Sequence, residues 1–194
     1  MPTIPRSTLL LGGVSSGKSS MACRLAALAR EPVTVLASGV ASDQEMAARI
    51  AAHRRARPKE WAVLEEAGHP ASAIEAVRNG LVLWDSVDSW VGNVMQEAGC
   101  FDLQAECGQT PDLSRQLAHE VEALIQRCGD RGLRLIAVSC ETGMAPIGAT
   151  KSTRQFVDLL GEVNQLLAAR VEAAYLVVAG RVCRLVVGEA TWYG

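Results

Sequence analysis

The sequence predicts an α/β domain with a mostly parallel sheet flanked by helices and an antiparallel hairpin at its C-terminal end. Three observations predict it. Short apolar runs of strand length alternate with longer segments of helical character. A glycine-rich loop, residues 12–19, joins the first apolar run to the first helical segment. The last two runs, 175–178 and 182–187, are separated only by Ala179-Gly180-Arg181, too short for a helical crossover, so they pair as a hairpin. At 194 residues and 49 % apolar composition, the chain suits a single domain over 1–194 with a substantial core.

The elements follow in order. Strands are expected at 8–11, 33–37, 81–84, 133–138 and 175–178, each a short apolar run of the kind buried in a parallel sheet. A first helix covers 20–30. Ser42-Asp43-Gln44-Glu45 is a capping-box sequence that opens a helix to about residue 55. Residues 71–79 form a short helix ended by Gly80, and helices at 86–98 and 113–128 are separated by a polar loop over 99–112. The longest helix is expected at 152–172, where Phe156, Leu159, Leu160, Val163, Leu166 and Leu167 make one apolar stripe for core packing.

A formal charge of −2 argues against a generally basic nucleic-acid-binding surface, and no apolar run is long enough to span a membrane. Six cysteines (Cys23, Cys100, Cys107, Cys128, Cys140, Cys183) show no metal-ligand spacing. They read as thiols of a reducing cytoplasm, most of them buried, with Cys100 and Cys107 placed in a loop as exposed thiols.

Gly12-Gly13-Val14-Ser15-Ser16-Gly17-Lys18-Ser19 is a complete G-x-x-x-x-G-K-S phosphate-binding loop in its strand–loop–helix context. Glycines let the backbone turn its N–H groups inward, and the following helix N-terminus adds positive potential. Lys18 reaches the outer phosphates and the Ser19 hydroxyl is a ligand for Mg²⁺. The chain is thus expected to be a P-loop NTPase with a RecA-like arrangement that binds a nucleoside triphosphate. Leu81-Val82-Leu83-Trp84-Asp85 is an apolar strand ending in a carboxylate, the position from which P-loop proteins hold the metal. A strand-ending Asp is also a common helix cap, and Asp88 is the substitute one helical turn on.

A second constellation lies between Arg49 and Trp61. Arg49, His53 and Arg57 recur at i, i+4 and i+8, so they share a face if the helix persists to Pro58. A solvated basic face is the bland reading. The alternative rests on position, because this face follows the second strand, whose C-terminal end lies on the ligand side of an open α/β sheet. Arginines clamp phosphate oxygens, and their charge disfavours imidazolium, which keeps His53 neutral and nucleophilic. A neutral imidazole can attack the α-phosphorus of a nucleotide and carry the nucleotidyl group. His69, before Pro70, and His119, on a charged helix face, read as surface histidines.

The chain resembles the bifunctional adenosylcobinamide kinase / adenosylcobinamide-phosphate guanylyltransferase family of cobalamin biosynthesis. The matching residues are Gly12 to Ser19, Asp43 to Ile50, then His53 with Arg57-Pro58 and Trp61. Glu65, Asp85, Trp90, Asn93, Glu141, Gly143-Met144, Arg154 to Leu159, Gly161, Asn164-Gln165 and Tyr175 to Gly180 continue the match through nearly the whole chain. The resemblance implies phosphorylation of the aminopropanol hydroxyl of adenosylcobinamide, then transfer of GMP from GTP to that phosphate. It implies GMP carried on His53, with Lys18 at the phosphates. Nucleotide contacts are implied for the loop residues Gly12, Gly13, Val14, Ser15, Ser16, Gly17, Lys18 and Ser19, for Ala37, Ser38 and Gly39, for Arg54, Arg55, Ala56 and Arg57, and for Glu65 and Asp85. It further implies GTP as nucleotide, ATP as an alternative kinase donor, Mg²⁺, a cytoplasmic homotrimer and no nucleic-acid or membrane partner.

The chain departs from the family pattern at Ser15 (usually Arg), at Cys140 (usually Asn), over Ala145-Pro146-Ile147-Gly148 (usually Gly-Ile-Val-Pro) and over Asp85-Ser86-Val87-Asp88 (usually Asp-Cys-Leu-Thr). Two rival functions follow from the residues: a guanylyltransferase with a lost or weak kinase step, motivated by Ser15 and the altered segment after Met144, and a non-catalytic RecA-like nucleotide switch.

Overall fold

Apolar runs without alternation are stable as strands only when both faces are covered, and four such runs form the centre of this sheet. The computed structural model describes residues 4–41, 43–101 and 110–186. Its elements are β1 (Ser7–Gly12), α1 (Lys18–Leu28), β2 (Val33–Ala37), α2 (Gln44–Ala56), β3 (Ala62–Glu65), α3 (Pro70–Ala73), β4 (Leu81–Asp85), α4 (Val87–Glu97), α5 (Thr110–Asp130), β5 (Arg134–Cys140), α6 (Lys151–Arg170), β6 (Ala173–Val178) and β7 (Arg181–Leu185). They form one sheet in the order β3-β2-β4-β5-β1-β6-β7, parallel throughout except for the β6–β7 pair. The expected fold class stands.

Two cores sandwich the sheet. One face carries Leu9, Val82, Trp84, Leu135 and Ala137 against Trp90, Val91, Leu117, Val121, Leu124, Leu159, Leu160, Val163 and Leu167 from α4, α5 and α6. The other packs Leu10, Val35, Leu83, Ile136 and Val138 against Ala22 and Ala26 of α1. Side-chain alternation along the strands sends neighbouring residues to opposite faces, which is why Leu9 and Leu10 belong to different cores. The expected stripe of α6 is core: Leu159, Leu160, Val163 and Leu167 are buried, with Phe156 and Leu166 packed against them. The β6–β7 turn is Ala179-Gly180, with φ of 49° and 71°, the backbone a two-residue hairpin needs to match strand twist.

Several expectations are corrected. β3 was not expected; its short run pairs with β2 at the sheet edge, where three of its four residues are exposed. The helix expected over 71–79 stops early, as α3 and a 3-10 turn over Ile74–Ala76, and two carbonyls of this segment accept from an arginine of α5 and from one just past it. Arg127 Nη1 donates to Ala71 O at 2.6 Å and Arg131 Nη2 to Val77 O at 2.6 Å. The longest helix is α5, at 21 residues against 20 for α6. The cap of α2 is Asp43, whose side chain accepts from Met46 N at 2.7 Å, while Ser42 lies outside the described residues. Cys100 is buried and disulfide-bonded, not an exposed thiol. Cys107, most of the 99–112 loop and Val187 fall outside the described residues.

Candidate active site

The loop after β1 takes its shape from backbone that only a few residues tolerate. Ser15 and Gly17 have φ of 58° and 95°, and these reversals coil the segment between Gly13 and Lys18. Gly12 has no alternative: a Cβ there would lie 2.5 Å from the Val177 carbonyl oxygen and 2.6 Å from Ser16 Oγ. Both neighbouring strands brace the loop. Glu141 N, just past β5, donates to Gly12 O at 3.1 Å, and Gly180 N in the β6–β7 turn donates to Ser16 O at 2.8 Å. Inside the coil Lys18, 7 % exposed, points Nζ at Gly13 O at 3.3 Å. Its charge is thus held over the loop by a carbonyl that a phosphate oxygen can replace.

Strand order builds the rest. In an open parallel sheet the C-terminal strand ends carry the ligand crevice. Here those ends meet in one open cleft lined by Val14, Lys18 and Ser19 from the β1 side, Ala37 at the end of β2 and Gly39 after it, Glu65 of β3, Asp85 of β4 and Cys140 of β5. Helix α2 contributes Met46, Arg49, Ile50, His53 and Arg54, followed by Arg57. Arg49, His53 and Arg57 all line this cleft, although the helix does not persist to Pro58 but ends at Ala56: Arg57 is its extended C-cap, a conformation the following Pro58 favours.

Asp85 is the electrostatic centre. Its side chain is 7 % exposed, its Oδ2 accepts from Arg57 Nη2 at 2.5 Å, and His53 Nδ1 lies 3.6 Å from the same oxygen. Burial pushes its pKa up, but the nearby His53 imidazole and the Arg57 guanidinium together outweigh burial and hold the carboxyl below its ordinary value. Arg54 pairs with Glu65 at the exposed rim. Asp88, in the first turn of α4, accepts from Cys140 N at 3.0 Å, and Asn164 Nδ2 donates to Cys140 O at 3.0 Å, so the end of β5 is clamped on both sides. Burial, then the Asp88 charge, raises the Cys140 thiol, with Lys18 pulling the other way.

Some expected residues lie elsewhere. Ser38 is fully buried; its Oγ accepts from Trp84 Nε1 at 3.0 Å and its carbonyl from Asn93 Nδ2 at 2.7 Å. It shapes the turn after β2 and does not present its hydroxyl to the cleft. Arg55 and Ala56 are exposed and absent from the cleft lining. Gly12, Gly13, Ser15, Ser16 and Gly17 form the loop backbone. Met46, Ile50, Ser86, Ser89 and Cys140 line the cleft without having been singled out as ligand contacts; only their distance from the sheet edge, a tertiary quantity, reveals them.

The donors suit a hard cation beside phosphates. Ser19, Asp85 and Asp88 offer oxygen ligands in one cleft. No group of three His, Cys, Asp or Glu that could hold a metal exists among the described residues. That pattern fits Mg²⁺ carried in with nucleotide phosphates better than a cage built by the protein.

A phosphate-binding loop bearing Lys18 and Ser19, on a parallel sheet with β5 between β4 and β1, defines the chain as an enzyme domain of the P-loop NTPase class. Residues 8–185 match the family model for cobinamide kinase / cobinamide phosphate guanyltransferase, and the chain belongs to that family of cobalamin biosynthesis enzymes. It is 37 % identical over 174 residues to the bifunctional adenosylcobalamin biosynthesis protein CobP of Pseudomonas aeruginosa, covering 89 % of this chain and 92 % of that one. It is 33 % identical to the bifunctional protein CobU of Escherichia coli, covering 89 % and 95 %. Among solved structures it is similar to the type III secretion ATPase EscN from enteropathogenic E. coli, with TM-score 0.56, 12 % identity and coverage of 91 % of this chain and 43 % of that one. The RadB recombinase aligns with TM-score 0.50 and 13 % identity over 89 % and 74 %. These two likenesses concern the fold alone.

Proposed function

We propose that this chain phosphorylates the aminopropanol hydroxyl of adenosylcobinamide and then transfers GMP from GTP to the new phosphate through a guanylylated His53. One observation carries the reading: His53 and the loop residues Lys18 and Ser19 line the same cleft, so one bound triphosphate can meet both.

In the kinase step the loop amides and Lys18 bind the β- and γ-phosphates and offset the charge that spreads over the transferred phosphoryl. Mg²⁺, held by Ser19 with Asp85 or Asp88, would supply further charge neutralisation at those oxygens. ATP or GTP serves as donor. In the transferase step Arg49 and Arg57, both lining the cleft, hold the α-phosphate while His53 displaces pyrophosphate. Ala37, Gly39, Arg54 and Glu65 border the nucleotide, and the adenosylcobinamide phosphate then takes up the guanylyl group. The enzyme works as a homotrimer in the cytoplasm, a reading supported by the family; no helix among the described residues is long and apolar enough to cross a membrane.

Intact mass after mixing with GTP and Mg²⁺ tests the covalent step. A single guanylyl adduct is expected, lost on mild acid treatment as a phosphoramidate should be and stable to base. His53→Asn should form no adduct and lose transferase activity while retaining most kinase activity. A labelled His53→Asn protein refutes the assignment, and equal loss of both activities makes His53 a binding residue only.

A further inference from the structure

Two cationic or protonatable groups of the α2 segment converge on one carboxylate oxygen. Asp85 Oδ2 is 2.5 Å from Arg57 Nη2 and 3.6 Å from His53 Nδ1, and both Asp85 and Arg57 side chains are more than nine-tenths buried, at 7 % and 8 % exposure. His53 is 39 % exposed, so its ring spans from this buried pair to the open cleft. We propose that Asp85 is a positioning residue for guanylyl transfer, holding His53 through Nδ1 so that Nε2 is the nucleophile, and that Asp88 is the carboxylate left for the metal. The proposal rests on the His53 reading given above.

The chemistry requires one nitrogen of the ring to carry a proton and the other to be bare. A carboxylate beside Nδ1 puts the proton there. As Nε2 attacks the α-phosphorus of GTP, the N–P bond forms and the bond to the bridging oxygen breaks, its electron pair leaving with pyrophosphate. The ring then carries a positive charge with its proton still on Nδ1, next to the fixed negative charge of Asp85. In the second half-reaction a phosphate oxygen of adenosylcobinamide phosphate attacks the same phosphorus. The P–N bond breaks, its electron pair returns to Nε2, and the ring is neutral again. Asp85 stays ionised throughout and neither gains nor loses a proton. The separation of 3.6 Å is longer than a finished hydrogen bond, as is common for such contacts before substrate arrives and tightens them.

Arg57 fixes the carboxylate from the other side. An oxygen already shared by a guanidinium and an imidazole is a poor site for a divalent cation, because the neighbouring positive charge opposes the incoming one. Asp88 lines the cleft together with Ser19, and among the described residues no salt bridge reaches it.

Asp85→Asn keeps the shape and removes the charge. Adduct formation with GTP should slow about 100-fold or more, the scale at which a mis-set histidine tautomer acts. The kinase rate should fall at least tenfold less than the adduct rate, and the Mg²⁺ concentration giving half-maximal kinase rate should shift less than in Asp88→Asn. Parallel loss of both rates with a raised Mg²⁺ requirement in Asp85→Asn overturns the proposal. Nitrogen-15 NMR of the histidines of the wild-type protein gives a second decision that does not depend on how the variant folds: His53 protonated at Nδ1 supports the proposal, and the Nε2-protonated tautomer overturns it. Absence of any adduct in the wild type is the failure of the His53 reading itself, and is seen before any variant is made.

Discussion

The phosphate loop and the histidine helix border one cleft, yet the fold holds them by different means. The loop is the continuation of a strand buried in the middle of the sheet, with Leu9 and Leu10 at 0 % and 1 % exposure, and it is tied by backbone hydrogen bonds to β5 and to the β6–β7 turn. Helix α2 has no buried residue at all, and the strand that follows it, β3, is an exposed edge. What anchors its C-terminal end is charge: Arg57 on Asp85, and Arg54 on Glu65. The loop that would bind phosphate therefore rests on packing, and the covalent chemistry proposed for His53 would rest on a few ion pairs. A triphosphate needs a fixed cradle, whereas a group that must reach the α-phosphorus and later present it to a second substrate gains from a weaker anchorage.

The largest break in that comparison comes from the loop. Lys18→Ala should lower both kinase and transferase rates by about 100-fold or more, since it removes the positive charge that the proposed function places on the phosphates. The protein should remain folded, which circular dichroism checks; unchanged rates in a folded Lys18→Ala protein would mean that the loop does not bind the reacting phosphates.

Arg54, in α2, and Arg57, its C-cap, give the next contrast. Arg57→Ala leaves Asp85 buried with only His53 beside it and should destabilise the fold by about 3 kcal/mol, the lower range for breaking a buried pair. Arg54→Ala removes a partner from an exposed pair, 55 % and 65 % accessible, and should cost less than about 1 kcal/mol. Urea melts of the two variants measure the difference, and equal midpoints would deny that burial separates the pairs.

Much of this was legible in the residues and some was not. The motif of residues 12–19, the strand–helix alternation and the terminal hairpin carry local signals, and each lies where its chemistry puts it. His53 and Arg57 were legible as a spacing, but their convergence on Asp85 was not, because no local pattern states which strand end a helix will face. β3 was missed for a related reason: Ala62-Val63-Leu64-Glu65 is four residues with little burial, and pairing with β2 alone makes it a strand. Ser38 shows another tertiary effect. Its position after β2 is right for a ligand contact, yet the indole of Trp84 takes its hydroxyl into the core.

Smaller effects sharpen the contrast further. Amide hydrogens of α2 should exchange with solvent faster than those of β1, β4 and β5, since few buried contacts oppose its opening; equal protection by mass spectrometry would show that the ion pairs hold α2 as firmly as packing holds the loop. Thiol labelling gives a milder version. Burial pushes the Cys128 thiol up to about 12, with Arg131 opposing it only in part, so at pH 8 it carries almost no thiolate. Cys183, exposed on β7, should react with iodoacetamide well before Cys128, and simultaneous labelling would mean that the α5 core opens as readily as the sheet edge.

The hydrogen bond from Gly180 N to Ser16 O joins residues far apart in the chain, and Val177 O is what forbids a side chain at Gly12. The eight-letter motif of residues 12–19 is thus half of an object whose other half, residues 177–180, lies far along the chain. A fragment comprising the first strand, loop and helix would contain every residue of the motif and none of the walls against which it coils, so the shape of the loop belongs to the finished protein and cannot be transplanted with the letters.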